Sequence, residues 1–202
     1  KMKFFFPVIT FLSIIFCSVS FADSPITSTT FYEVYLYNSM IDEAKHCGYM
    51  SKENAKYLNN DSNPVEMKAA LINALGWDES GKNNANLYSK YIYGKNWDEL
   101  DLEQMSAPQL MVLGYLVVMD DYFKPEVALP ILEKALQKDK YSYTINVIHS
   151  LIKAQLVMNE DFCEVWKVYY NVNSNKNLLP DLTPQAKEII YNYMLVYKSY
   201  CQ

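Results

Sequence analysis

His46-Cys47, with Asp42 and Glu43 one helical turn earlier, is the densest grouping of reactive side chains in the sequence. Such a group could ligate a metal ion or supply a cysteine nucleophile beside a base. Adjacent residues on a helix point about 100° apart, however. Neither a Cys-x-x-Cys nor a His-x-x-x-His spacing supports the pair. The pattern therefore predicts no metal site and no cofactor, and reads His46 and Cys47 as the end of an amphipathic helix. The second histidine, His149, lies between Ile148 and Leu151 and reads as a core-edge residue. Asp98, Glu99, Asp101 and Glu103 crowd one stretch but lack the ligand order and glycine of a calcium loop. Acids at a helix start fit them better. Glycine-rich phosphate loops and a Gly-x-Ser-x-Gly elbow do not occur. All 18 basic residues are lysine, against 23 acids and a net charge of −5. Bidentate base and phosphate contacts rely on arginine, so no nucleic-acid partner is expected.

The cysteines depend on where the chain resides. Lys1 and Lys3 precede an apolar run from Phe4 to Phe16, and Ser20-Phe21-Ala22 supplies a small-x-small site. This pattern predicts a secretory signal over 1–22, removed on export, leaving no membrane span. The expected location is the periplasm, with the extracellular space as the alternative. Cys17 leaves with the signal, and Cys47, Cys163 and Cys201 remain. An oxidising compartment favours pairing two of the three. Spacing leaves the choice open; Cys163–Cys201 is preferred because the last two helices should be neighbours, with Cys47 the third.

The elements that must position these residues read as helices throughout. Half of the 202 residues are hydrophobic and there are only 5 glycines, which excludes disorder and a turn-rich sandwich. Residues 23–30 read as a flexible N-terminus and 31–202 as one all-helical domain, less regular over 31–105 and repeat-like over 106–202. Helical spacing predicts a helix over 32–47 and a shorter one over 52–58. Asn63-Pro64-Val65-Glu66 reads as N-cap, N1 and N3 of a third helix, running to about Trp77. Ser106-Ala107-Pro108-Gln109 reads as a capping box. Further helices are expected at 86–93, 106–119, 125–138, 142–158, 160–171 and 184–200.

A spacing of 38 links Leu75, Leu113, Leu151 and Ile189, with Ile72, Leu110, Ile148 and Ala186 three residues before each. Within one unit, Leu113-Gly114-Tyr115 and the run Ala128, Leu132, Ala135, Leu136 resemble a tetratricopeptide or Sel1-like repeat over 111–139. Gly114 and Ala128 would let two helices approach closely, while Leu132 would fill the groove between units. Pro130 inside the second helix departs from the pattern, as does Lys140 where a proline is usual. The resemblance implies a right-handed antiparallel stack of roughly eight helices acting as a binding scaffold. A closed helical bundle is the alternative. Separately, Glu79-Ser80-Gly81 after a helix resembles the catalytic glutamate region of lytic transglycosylases. That resemblance implies Glu79 as acid and base in cell-wall glycan cleavage, although the family's following segment is missing.

Tyrosine is the most distinctive residue, with 18 copies. Large, stiff side chains of this kind enrich binding surfaces. Tyr88, Tyr91, Tyr93 and Trp97 form one candidate contact patch. On a helical stack, the first helices nominate Tyr115, Lys153 and Tyr193. The resulting expectation is an exported, non-enzymatic protein that binds another protein or peptide. That partner is either an envelope assembly component or a basic toxin neutralised by an immunity protein. A Glu79-dependent peptidoglycan-cleaving enzyme is the alternative of another class.

Overall fold

The structure is a computed structural model that describes residues 24–201. The expected signal at 1–22, with Cys17, lies outside the described residues, as does Asp23. Among the described residues nine α-helices form: α1 Ser39–Cys47, α2 Lys52–Asn59, α3 Val65–Leu75, α4 Asn84–Tyr93, α5 Ala107–Asp120, α6 Pro125–Lys138, α7 Tyr143–Val157, α8 Phe162–Asn173 and α9 Pro184–Lys198. Short 3-10 turns occupy Phe31–Tyr35, Trp97–Glu99 and Leu102–Gln104. No strand forms among the described residues; a lone bridge joins Ser142 and Leu179. The all-α class expected from the apolar spacing is what the structure has. None of the described helices is long and apolar enough to cross a membrane.

Local chemistry explains most of the boundaries. Ser106 and Gln109 close the expected capping box on α5: Ser106 N donates to Gln109 Oε1 at 2.9 Å, and Gln109 N donates to Ser106 Oγ at 3.4 Å. Ser142 Oγ accepts from Ile145 N to open α7, and Asp161 Oδ1 accepts from Cys163 N to open α8. Two expected starts move. The helix expected over 32–47 is interrupted, because the Asn38 side chain accepts from Met40 N and Ile41 N and starts α1 at Ser39. Asn63 does not cap α3; its Nδ2 donates to Tyr57 O at 2.7 Å, and the helix begins after Pro64.

Burial is centred on α3 and α5. Every α3 residue from Met67 to Leu75 is buried, and so is every α5 residue from Leu110 to Met119. A helix buried on all sides must be surrounded by others. α3 packs against α1 and α5, and α4 against α2 and α5. From α5 onward each helix packs on the next. The α5–α6 pair meets closely at Gly114, where an added Cβ would lie 2.8 Å from Leu132 Cγ. Leu132 therefore fills the space inside this hairpin, rather than a groove between units as the repeat pattern implied.

The segment read as flexible over 23–30 is instead packed where it is described. Ser24, Ile26 and Thr29 are buried. Ser24 Oγ donates to Gln155 Oε1 on α7, and Thr29 Oγ1 donates to Pro25 O at 3.0 Å. Its polar side chains close local turns and bridge to a distant helix, which sequence polarity alone reads as solvation. The following turn, Phe31–Tyr35, packs against α3 and α9, so an early segment touches the final helix.

Candidate functional site

Lys82 gathers the loops around Glu79. Its ammonium donates to Gly48 O at 2.9 Å and to Leu75 O at 2.6 Å, where α1 and α3 end. Helix C-termini carry partial negative charge and attract a cation. Burial lowers the Lys82 pKa, while Asp78 and Asp120 oppose that shift. Lys82 N donates to Asp120 O at 2.9 Å. The Asp120 carboxylate accepts from Asn84 N at 2.9 Å and Ala85 N at 2.8 Å, capping α4 from the end of α5. Burial pushes Asp120 up to about 6, against the pull of those two N–H groups and Lys82.

Glu79, Asp120 and Asp121 line one open cavity of about 520 Å³ with Tyr49. The Asp120 carboxylate is committed to backbone donors, and Glu79 is exposed on the turn after Trp77. On the other side of Lys82, His46 and Cys47 border a cavity of about 320 Å³. His46 Nδ1 lies 2.7 Å from Asp42 O, and Cys47 is exposed with a free thiol. No group of three His, Cys, Asp or Glu side chains is placed to hold a metal ion among the described residues.

The tyrosine patches divide. Tyr88 and Tyr115 are buried and belong to the core, which corrects their assignment to contact surfaces. Each hydroxyl reaches an amide far away in sequence. Tyr88 OH donates to Asn59 Oδ1 at 3.3 Å, and Asn73 Nδ2 donates to Tyr115 OH at 3.1 Å. Asn73 Oδ1 in turn accepts from Tyr32 N at 3.0 Å. Tyr91 is exposed, and Tyr93 and Trp97 are half-buried. Lys153 is exposed on α7; Tyr193 is half-buried on α9, its hydroxyl 3.0 Å from that of Tyr197. Tyr115, Lys153 and Tyr193 sit on different helices with different exposures and share no described cavity.

A surface the tyrosine spacing missed lies where α8 starts and α9 ends. Cys163 and Cys201 form a disulfide that ties the segment just past α9 to the start of α8. Each cysteine follows an aromatic residue, Phe162 and Tyr200, so the bond brings those two rings to 4.9 Å. Phe162 is 42% exposed, Tyr200 55% and Val196 56%. On the same two helices, Trp166 stacks on Tyr170 at 5.1 Å and lies under the Lys198 ammonium at 5.7 Å. The repeated aromatic-cysteine dipeptide is the sequence signal that could have found this surface. No family model matches the chain, and neither a curated protein nor a solved structure matches it.

Proposed function

We propose that the chain is an exported, non-enzymatic protein–protein interaction module of the bacterial periplasm or envelope, and that Phe162, Val196 and Tyr200 form its contact face. The observation that carries this reading is the exposure of these three side chains on a disulfide-bonded pair of helix ends. Large apolar side chains exposed together mark interaction sites. Holding them on cross-linked helices reduces the ordering cost of binding. A disulfide also suits an oxidising compartment. Alternate helices α3, α5, α7 and α9 carry the 38-spaced residues, and consecutive packing from α5 to α9 supports a stacked scaffold behind the face.

The test is capture of a partner from extract of the source organism, using the full chain as bait, followed by the same capture with Phe162→Glu and Tyr200→Glu. One stoichiometric protein held by the native chain and lost from both variants supports the proposal. A partner retained by both variants moves the contact face elsewhere. Hydrolysis of cell-wall glycan that disappears in Glu79→Gln would overturn the non-enzymatic reading.

A further inference from the structure

A cavity of about 360 Å³ lies between α4 and the start of α5, lined by Tyr93, Lys95, Leu100, Asp101, Met105 and Gln109 among others. Three features distinguish it. Lys95 and Asp101 both line it, both are exposed, and no ion pair joins them. Leu100 and buried Met105 supply an apolar wall. The third feature concerns one oxygen. Asn59 Oδ1 is within hydrogen-bond distance of three donors: Tyr93 OH at 3.1 Å, Gln109 Nε2 at 3.1 Å and Tyr88 OH at 3.3 Å. An amide oxygen has two lone pairs. The Tyr88 and Tyr93 hydroxyls also hydrogen-bond each other, so two donors suffice for Asn59, while the Gln109 amide, which lines the cavity, carries a second N–H.

The supporting frame is stiff. Ser89 Oγ donates to Lys95 O at 2.8 Å and anchors the backbone that carries the cation. Asp101 Oδ1 accepts from Glu103 N at 3.1 Å, which orients the carboxylate and leaves its second oxygen available.

From this we propose that the cavity binds a short zwitterionic peptide of dipeptide size bearing an apolar side chain. Asp101 takes the ligand's ammonium and Lys95 its carboxylate. The peptide carbonyl accepts from the second N–H of Gln109, and the side chain lies against Leu100 and Met105. A cavity of this size suits a ligand of a few residues. Opposite charges held apart at one cavity select against a ligand carrying a single charge.

The experiment titrates leucyl-alanine into the full chain by calorimetry, with amide NMR shifts to locate it. N-acetyl-leucyl-alanine, leucyl-alanine amide and free leucine are the comparison ligands. Saturable binding of leucyl-alanine with shifts over residues 93–109 is expected, and blocking either end should weaken it about tenfold or more. Lys95→Gln should weaken leucyl-alanine while leaving its amide unchanged, and Asp101→Asn should weaken leucyl-alanine while leaving the acetylated form unchanged. Both residues are exposed, so a circular dichroism spectrum confirms that each variant remains folded. Equal binding of the blocked ligands, equal binding of free leucine, or no saturable binding of leucyl-alanine each overturns the proposal. Partner capture through Phe162 and Tyr200 involves a different surface and is unaffected by any of these outcomes.

Discussion

Glu66 and Thr183 lie 117 positions apart and are joined by a hydrogen bond of 2.8 Å, from Thr183 N to Glu66 Oε2. Tyr35 OH donates to the same oxygen at 2.7 Å and lies 2.9 Å from Thr183 Oγ1. One carboxylate oxygen thus ties the Phe31–Tyr35 turn and the start of α9 to the start of α3. Glu66→Ala should destabilise the fold by about 2–3 kcal/mol, because it leaves the buried Tyr35 hydroxyl and the half-buried Thr183 N–H without their carboxylate acceptor. Urea denaturation checks the magnitude, and faster hydrogen exchange at Thr183 N checks the assignment.

Gly114→Ala tests the closest approach of α5 and α6. Its Cβ would meet Leu132 Cγ at 2.8 Å and Cδ2 at 3.2 Å. Overpacking of this kind costs about 1–3 kcal/mol, partly offset by about 1 kcal/mol of helix propensity. A net loss of up to about 2 kcal/mol is expected from the same two principles. In the double variant with Leu132→Ala, the two losses should sum to less than their separate values, since the added methyl enters the space Leu132 leaves.

Lys68 is fully buried on α3, and its ammonium has no hydrogen-bond partner among the described residues. Burial lowers its pKa, with Asp61 pulling the other way. Lys68→Met keeps the stem and removes the unsatisfied group. It should stabilise the protein by about 1–3 kcal/mol in thermal or urea unfolding.

His149 gives the acid limb of stability a sign. Burial, helped by Lys153, lowers its pKa to about 4 from an ordinary value near 6.5. The unfolded chain therefore takes up the proton first. The contribution is fully present above about 6.5 and is lost as pH falls towards about 4. Asp120, raised to about 6, has the opposite sense: its contribution is full below its ordinary value and is lost as pH rises through about 6. His149→Gln should flatten the loss of stability between pH 6.5 and 4 measured by denaturant midpoints. An unchanged pH profile in that variant would assign the acid limb to other groups.

Reduction of Cys163–Cys201 opens a loop of 38 positions and should cost about 3–4 kcal/mol by chain entropy. It should also separate Phe162 from Tyr200 and weaken partner capture. Alkylation of the unreduced, folded protein should mark Cys47 and spare Cys163 and Cys201, which peptide mass mapping checks.

Much of the helical order was legible because it rests on neighbours in sequence. The Ser106–Gln109 box, the proline starts of α6 and α9, and the spans of α7 and α8 follow from residues within one turn of each other. The errors arose where a distant partner decides the outcome. Tyr88 and Tyr115 look like surface aromatics until Asn59 and Asn73 satisfy their hydroxyls from 29 and 42 positions away. Asn38 competes with a continuous helix over 32–47 by offering its own side chain to Met40 N and Ile41 N. The polar Ser24–Thr30 segment reads as solvated until Gln155 receives Ser24. The neighbourhood of the last two helices points to the disulfide, whereas the aromatic pair it creates depends on Phe162 and Tyr200 preceding the two cysteines.

The burial of the first described segment bears on how the molecule is made. Ser24 reaches Gln155, 131 positions later, and Tyr35 reaches Thr183, 148 positions later. Synthesis releases a chain from its N-terminus, so residues 24–35 emerge long before the partners that bury them. Contacts of such separation form late. Until α7 and α9 arrive, the nascent chain presents Ile26 and Phe31 as an apolar strip that chaperones can hold and proteases can cut, and two helices made much later close over it.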